Sequence, residues 1–137
     1  MEDAFLDTNI ILRYLLRDDE VKAQRCLELL EKAERREIKL RTTDLVIAEA
    51  VWVLESPTTY NLPRDRIREL LLPIIFLPGL RLSGKKLYRR IFELYVDQSI
   101  DFIDAYNAAH MEKRKLAQIY SYDSDLDRVA GISRVEP

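Results

Sequence analysis

At 137 residues, 47% hydrophobic and 34% charged with only three glycines, the chain has the composition of a globular domain able to bury a core, not of a disordered segment. A net charge of −2 argues against a purely electrostatic nucleic-acid binder. Cys26 is the only cysteine, which excludes an intrachain disulfide and a thiolate-rich metal site and points to a reducing compartment. The opening Met1-Glu2-Asp3 lacks the basic-then-apolar pattern of a secretory signal, and no apolar run is long enough to cross a bilayer, so a cytoplasmic protein without a membrane partner is expected.

In chain order, Ala4-Phe5-Leu6 is a short apolar run ending in Asp7 and reads as a buried strand. A short helix is predicted from Ile10 to Arg17. A second, capped by Asp18 or Asp19, carries Ala23, Leu27, Leu30 and Ala33 at helical spacing. Ile38 to Thr42 alternates as a strand does. Asp44 offers a cap for a helix to about Glu55, ahead of Pro57. Pro63 suits the first turn of the next helix, whose apolar face is Ile67, Leu70, Leu71 and Ile74, with Pro73 and Pro78 bounding its end. Leu80-Arg81-Leu82 is a strand candidate, followed by a helix turning Tyr88, Ile91, Phe92 and Tyr95 inward. Asp101 caps a helix to about Lys115, Gln118 to Tyr122 forms a strand ending at Asp123, and Ile132 to Val135 a last edge strand. Strands alternating with helices predict an α/β fold with a parallel sheet of four or five strands, in a single domain over residues 1–137. In such sheets ligands bind beyond the carboxyl ends of the strands, and Asp7 and Asp123 each follow a predicted strand.

The acids carry the chemical signal. From Leu45 to Leu54 every residue is apolar except Glu49, so the helix is expected to be buried and Glu49 to need a partner. No Lys or Arg stands one turn away at positions 45, 46, 52 or 53; a helix-edge Glu reaching solvent is the plain alternative. Asp101 and Asp104 share one helix face in the first turn, where the dipole favours negative charge, and Asp101 reads equally as an N-cap. Ala105, Ala108 and Ala109 let that helix pack closely. Asp123, Asp125 and Asp127 follow the fourth strand; for the last two, a solvated turn or cap is the plain alternative. Carboxylates gathered in one place repel, raise one another's pKa, and are reconciled by a divalent cation. All-oxygen ligation selects Mg²⁺ or Mn²⁺. The lone His110 excludes a zinc site built on His pairs, and no nucleophile elbow or phosphate-cradling glycine loop is present.

Phe5-Leu6-Asp7-Thr8-Asn9, Ile47-Ala48-Glu49, Asp101-Phe102-Ile103-Asp104-Ala105 and Tyr120-Ser121-Tyr122-Asp123, taken in order, resemble the acidic motifs of the PIN-domain family, and the length resembles its VapC-type toxin ribonucleases. The resemblance implies a three-layer α/β/α fold around a central parallel sheet, with Asp7, Glu49, Asp104 and Asp123 around one or two Mg²⁺ ions (Mn²⁺ as substitute). It implies metal-dependent endonucleolytic hydrolysis of RNA, the toxin role in a toxin–antitoxin pair with an antitoxin partner, and a homodimer. By the same resemblance Thr8 and Asn9 orient Asp7 by hydrogen bonds, Ser121 stands where the family commonly has Thr, and Asp101 and Asp125 are accessory. The stretch from Pro63 to Arg90 is basic inside an acidic chain. Lys85/Arg89 and Lys86/Arg90, one turn apart, are the expected RNA-binding rim; solvated helix faces are the plain alternative. A phosphatase using two acids two residues apart after the first strand fails because position 9 is Asn, and a receiver domain fails for want of its acid pair. A catalytically silent PIN-like module binding protein or RNA remains the rival.

Overall fold

Leucines alternating with charged residues make short strands, and helices take up the rest of the buried apolar surface. The computed structural model describes residues 3–137; Met1 and Glu2, which entered the reading of the amino terminus, lie outside the described residues. The elements run β1 (Asp3–Phe5), α1 (Thr8–Leu16), α2 (Glu20–Glu34), β2 (Lys39–Arg41), α3 (Asp44–Glu55), α4 (Arg64–Ile75), β3 (Leu80–Arg81), α5 (Tyr88–Asp97), α6 (Phe102–Arg114), β4 (Gln118–Tyr120) and β5 (Ser133–Val135), with short 3₁₀ turns at Lys85–Leu87 and Ser124–Arg128. Among the described residues no helix is long and apolar enough to cross a membrane.

The chain divides into two compact units, one ending at Lys85 and one running from Lys86 to Pro137. In the first, β1, β2 and β3 form a parallel sheet in that order, with Phe5 opposite Arg41 and Arg41 opposite Arg81. Side chains alternate between the faces of a strand. Leu40, Leu80, Leu6 and Leu82 therefore turn to one face and are buried, while Asp3, Phe5, Lys39, Arg41 and Arg81 share the other and are exposed. The ladder continues past the strand ends through Leu6 N–H to the Arg41 carbonyl (2.7 Å) and Thr42 N–H to the Arg81 carbonyl (3.0 Å). Helix α1 packs on α2 and α3, and α3 on α4. The approach to β3 is tight: Gly79 donates to the Ala33 carbonyl (2.8 Å), and a Cβ at Gly79 would lie 2.5 Å from that oxygen. Only glycine fits there.

In the second unit α5 packs on α6 through an aromatic cluster, in which Phe92 meets Tyr88, Tyr95 and Phe102 at centroid distances of 6.2, 6.1 and 5.7 Å. Strands β4 and β5 form a separate parallel pair, Gln118 opposite Ser133 and Tyr120 opposite Val135.

The α/β class and parallel pairing agree with expectation, but the sheet does not have four or five strands. The five strands divide into a sheet of three and a sheet of two. Hydrophobic alternation locates strands; it does not say which edges hydrogen-bond, and at two or three residues each these strands carry little pairing information. Three local expectations also change. Thr43, not Asp44, occupies the N-cap of α3. Pro73 lies inside α4, which continues to Ile75. Strand β4 stops at Tyr120, and Asp123 caps the 3₁₀ turn that follows.

Candidate functional site

Helix α6 begins after Asp101, and its Ala105, Ala108 and Ala109 are fully buried, so the backbone of its first turn sits deep. Asp104, in that turn, is half-buried. Its carboxyl group and that of Asp123 lie close enough for each to act on the other's titration. Burial above all, then the Asp123 hydrogen bond and charge, then Asp101 and Asp125, push the Asp104 pKa up from 3.8 to about 6. Asp123 moves the other way. The backbone N–H of Asp125 first, then the Asp104 carboxyl group, with Arg134 and Arg128 nearby, hold it below the usual carboxylate range.

The turn carrying Asp123 is locked by its own chain. The Ser121 hydroxyl accepts the Asp123 N–H (3.0 Å), and Asp123 Oδ1 accepts the Asp125 N–H (2.9 Å). Arg128 pairs with Asp125 at 3.4 Å. Arg134 pairs with Asp127 at 3.0 Å and donates to the Ser121 carbonyl at 3.2 Å, tying β5 to this turn. The structure thus brings Asp101, Asp104, Asp123 and Asp125 within electrostatic reach of one another, with Ser121 as the support of Asp123.

In the first unit Asp7 stands at the N-cap of α1, is exposed, and makes no capping hydrogen bond. Thr8 is buried and Asn9 exposed. The residue that sequence reasoning missed is Thr42. Its buried hydroxyl donates to the Leu6 carbonyl at 3.0 Å, fastening the end of β1 immediately before Asp7. The available signal was a polar side chain at a position whose strand phase calls for burial.

Glu49 departs from its expectation. It is exposed, and so are Leu45 (81%) and Trp52 (63%) on the same face of α3. A helix apolar on every side was read as buried on every side, whereas one apolar stripe faces outward here. The inference from a buried carboxylate therefore falls, although Glu49 keeps its place in the motif order.

Among the four basic residues, Lys85 and Arg90 make well-defined bonds within the chain. Lys85 Nζ donates to the carbonyls of Ile75 (3.2 Å), Leu77 (3.1 Å) and Leu80 (2.7 Å), which closes the C-terminal end of α4. Arg90 forms a fork to Glu112, both bonds 2.9 Å, and a 2.6 Å pair with Glu93. Lys86 and Arg89 are exposed.

The family model described as PIN domain matches residues 4–132. The chain belongs to the PIN-domain family. The match spans both compact units and takes in Asp7, Glu49, Asp104 and Asp123. A PIN domain is a nuclease-type fold, commonly that of a metal-dependent ribonuclease, so the chain is placed among hydrolases acting on nucleic acids. Comparison with curated protein sequences gives no match.

PIN domains typically use divalent metal ions, and the residues present fit one. Among the described residues no three His, Cys, Asp or Glu side chains stand together as a ready cage. The Asp104–Asp123 pair is nonetheless an oxygen-only donor set in which the charge of Asp123 adds to burial in raising the Asp104 pKa. Mg²⁺ is suited to such a place, because it holds on to most of its water and needs only one or two protein carboxylates.

Proposed function

We propose that this PIN domain is a Mg²⁺-dependent endoribonuclease (Mn²⁺ as substitute) acting through Asp104 and Asp123, with Asp7 and Glu49 as the further carboxylates of the reaction. The observation that carries the reading is the convergence of Asp104, in the first turn of α6, and Asp123, capping the turn after β4, with Asp101 and Asp125 in electrostatic reach. A divalent cation held by this pair would offset the burial and the neighbouring negative charge that raise the Asp104 pKa. When bound, such an ion supplies the positive charge that activates water and steadies the departing oxygen of a phosphodiester. The chain's own parts have separate tasks. Asp104 and Asp123 would hold the ion, Ser121 and the Asp125 N–H fix the direction of Asp123, and the Thr42 hydroxyl holds the backbone that leads into Asp7. Asp7 and Glu49 enter on the family's motif order rather than on placement. Lys86 and Arg89, exposed on the basic stretch, are proposed contacts to RNA.

The toxin role, an antitoxin partner and a cytoplasmic homodimer complete the proposal. The outward Leu45 and Trp52 support an association surface, since large exposed apolar residues in one patch mark contact sites. A catalytically silent module is the second reading, favoured by the lack of a three-sided carboxylate cage among the described residues. Incubation of single-stranded RNA with the protein in Mg²⁺ or Mn²⁺, against a chelator control, separates them. Cleavage by the wild type that is lost in Asp104→Asn and Asp123→Asn is the expected result. Intact RNA in both metals, or equal cleavage by both variants, overturns the nuclease reading.

A further inference from the structure

The exposed face of the three-stranded sheet carries a second feature that the carboxylates do not explain. Phe5, Arg41 and Arg81 lie side by side in register across β1, β2 and β3. Adjacent strands are about 4.8 Å apart, so the two arginines are immediate neighbours, an arrangement that is unfavourable without a counter-charge. Arg41 has one in Asp3, at 2.5 Å. The Asp3 charge reaches Arg81 as well, but among the described residues no carboxylate lies at ion-pair distance from Arg81, and Lys85, which adds to the local positive charge, turns its ammonium toward carbonyl groups. Phe5 is 59% exposed, an aromatic ring left in water beside Arg41, with Arg81 one strand further on. These three residues, with Thr43, Leu82 and Ser83, line an open hollow of about 520 Å³ at the carboxyl ends of the strands. That is the end of a parallel sheet at which ligands bind.

We propose that this row is a docking ledge for one nucleotide of single-stranded RNA, Phe5 stacking on its base and Arg81 taking its phosphate. The inference rests on the ribonuclease reading and gives it a substrate subsite. An aromatic face in one row with unneutralised positive charge is the combination that grips single-stranded nucleic acid regardless of sequence. Position follows from the strand. Asp7 comes two residues after Phe5, and both Phe5 and Asp7 are exposed while Leu6 between them is buried, so Phe5 and Asp7 share one side of the chain about 7 Å apart. A nucleotide on Phe5 therefore neighbours the carboxylate assigned to the reaction. An acidic protein segment would satisfy the arginines but has no use for an exposed ring at base-stacking height.

The test is binding of a fluorescein-labelled oligouridylate in chelator, followed by anisotropy, for the wild type, Phe5→Ala, Phe5→Trp and Arg81→Gln, with melting curves showing that each variant folds. Phe5→Ala and Arg81→Gln should each weaken binding about tenfold, Phe5→Trp should retain it, and only Arg81→Gln should flatten the salt dependence. An oligonucleotide with one abasic position should lose affinity for the wild type but not for Phe5→Ala. Unaltered binding by both Phe5→Ala and Arg81→Gln overturns the ledge. So does a loss confined to Arg81→Gln, which would mark a plain cationic surface fit for an acidic protein. Cleavage in Mg²⁺ is measured in parallel. Wild-type cleavage with unaltered variant binding removes the ledge and leaves the nuclease, whereas weakened variants of a protein that never cleaves leave the ledge and remove the nuclease.

Discussion

Thr42 and Leu6 are joined by a 3.0 Å hydrogen bond from a buried hydroxyl to a backbone carbonyl, 36 residues apart in sequence. Removing the hydroxyl leaves that carbonyl without its partner inside the protein. Thr42→Val is nearly isosteric, so packing is conserved and the loss is that of a buried polar group, about 1–3 kcal/mol. Urea unfolding should show this decrease, with Thr42→Ser close to the wild type. Equal stability of Thr42→Val and the wild type would show that the bond does not hold β1.

Asp104 should make the metal-free protein pH-sensitive. Its pKa is about 6 in the folded state against 3.8 ordinarily, so between these values the folded chain binds more protons than the unfolded one. Stability from this group is then present at low pH and falls as pH rises from about 4 to about 6. Asp123, held low, acts in the opposite sense and only below the ordinary carboxylate range. In chelator, Asp104→Asn should melt higher than the wild type at neutral pH and lose that advantage toward pH 4. A difference independent of pH would mean that Asp104 is not the titrating group.

Addition of Mg²⁺ should raise the melting temperature of the wild type and leave that of Asp104→Asn unmoved. At a hundred times its dissociation constant an ion bound only by the folded state adds about 2.7 kcal/mol. Equal shifts in both proteins would place metal binding elsewhere.

Lys85 belongs to the fold. Its three carbonyl acceptors include the last turn of α4 and the residue that begins β3. Lys85→Met should cost about 2–3 kcal/mol in a urea titration, since bonds to a charged donor are the stronger ones. Lys86→Glu should cost little and serves as the variant for testing RNA contact. Full stability of Lys85→Met would return Lys85 to the list of available cations.

The stripe on α3 is the surface offered for self-association. Leu45→Lys with Trp52→Lys should give a monomer in light scattering where the wild type gives a dimer, with the melting curve showing a folded chain. A wild-type monomer at every concentration would remove the dimer.

Much of this was legible from periodicity. Each helix predicted in chain order exists, because Ala23, Leu30 and Ala33, or Ile91, Phe92 and Tyr95, repeat at the spacing a half-buried helix requires. The pairing of Asp104 with Asp123 was accessible only as motif order, since spacing places residues on one helix or after one strand but says nothing of which strand end faces which helix start. Glu49 was misjudged for a related reason. Apolar composition measures what a helix is able to bury, and Leu45 and Trp52 show that the chain itself does not bury all of it. Lys85 was beyond reach: a lysine in a basic stretch looks like surface until the carbonyls between the end of α4 and the start of β3 are seen to converge on it.

The placement of Trp52 has an optical consequence. It is the only tryptophan and it is 63% exposed in the folded chain, so its emission should already be that of an indole in water before any unfolding. Denaturation will scarcely shift that emission, and fluorescence will be a poor gauge of folding here. A blue shift would instead announce that something has covered α3.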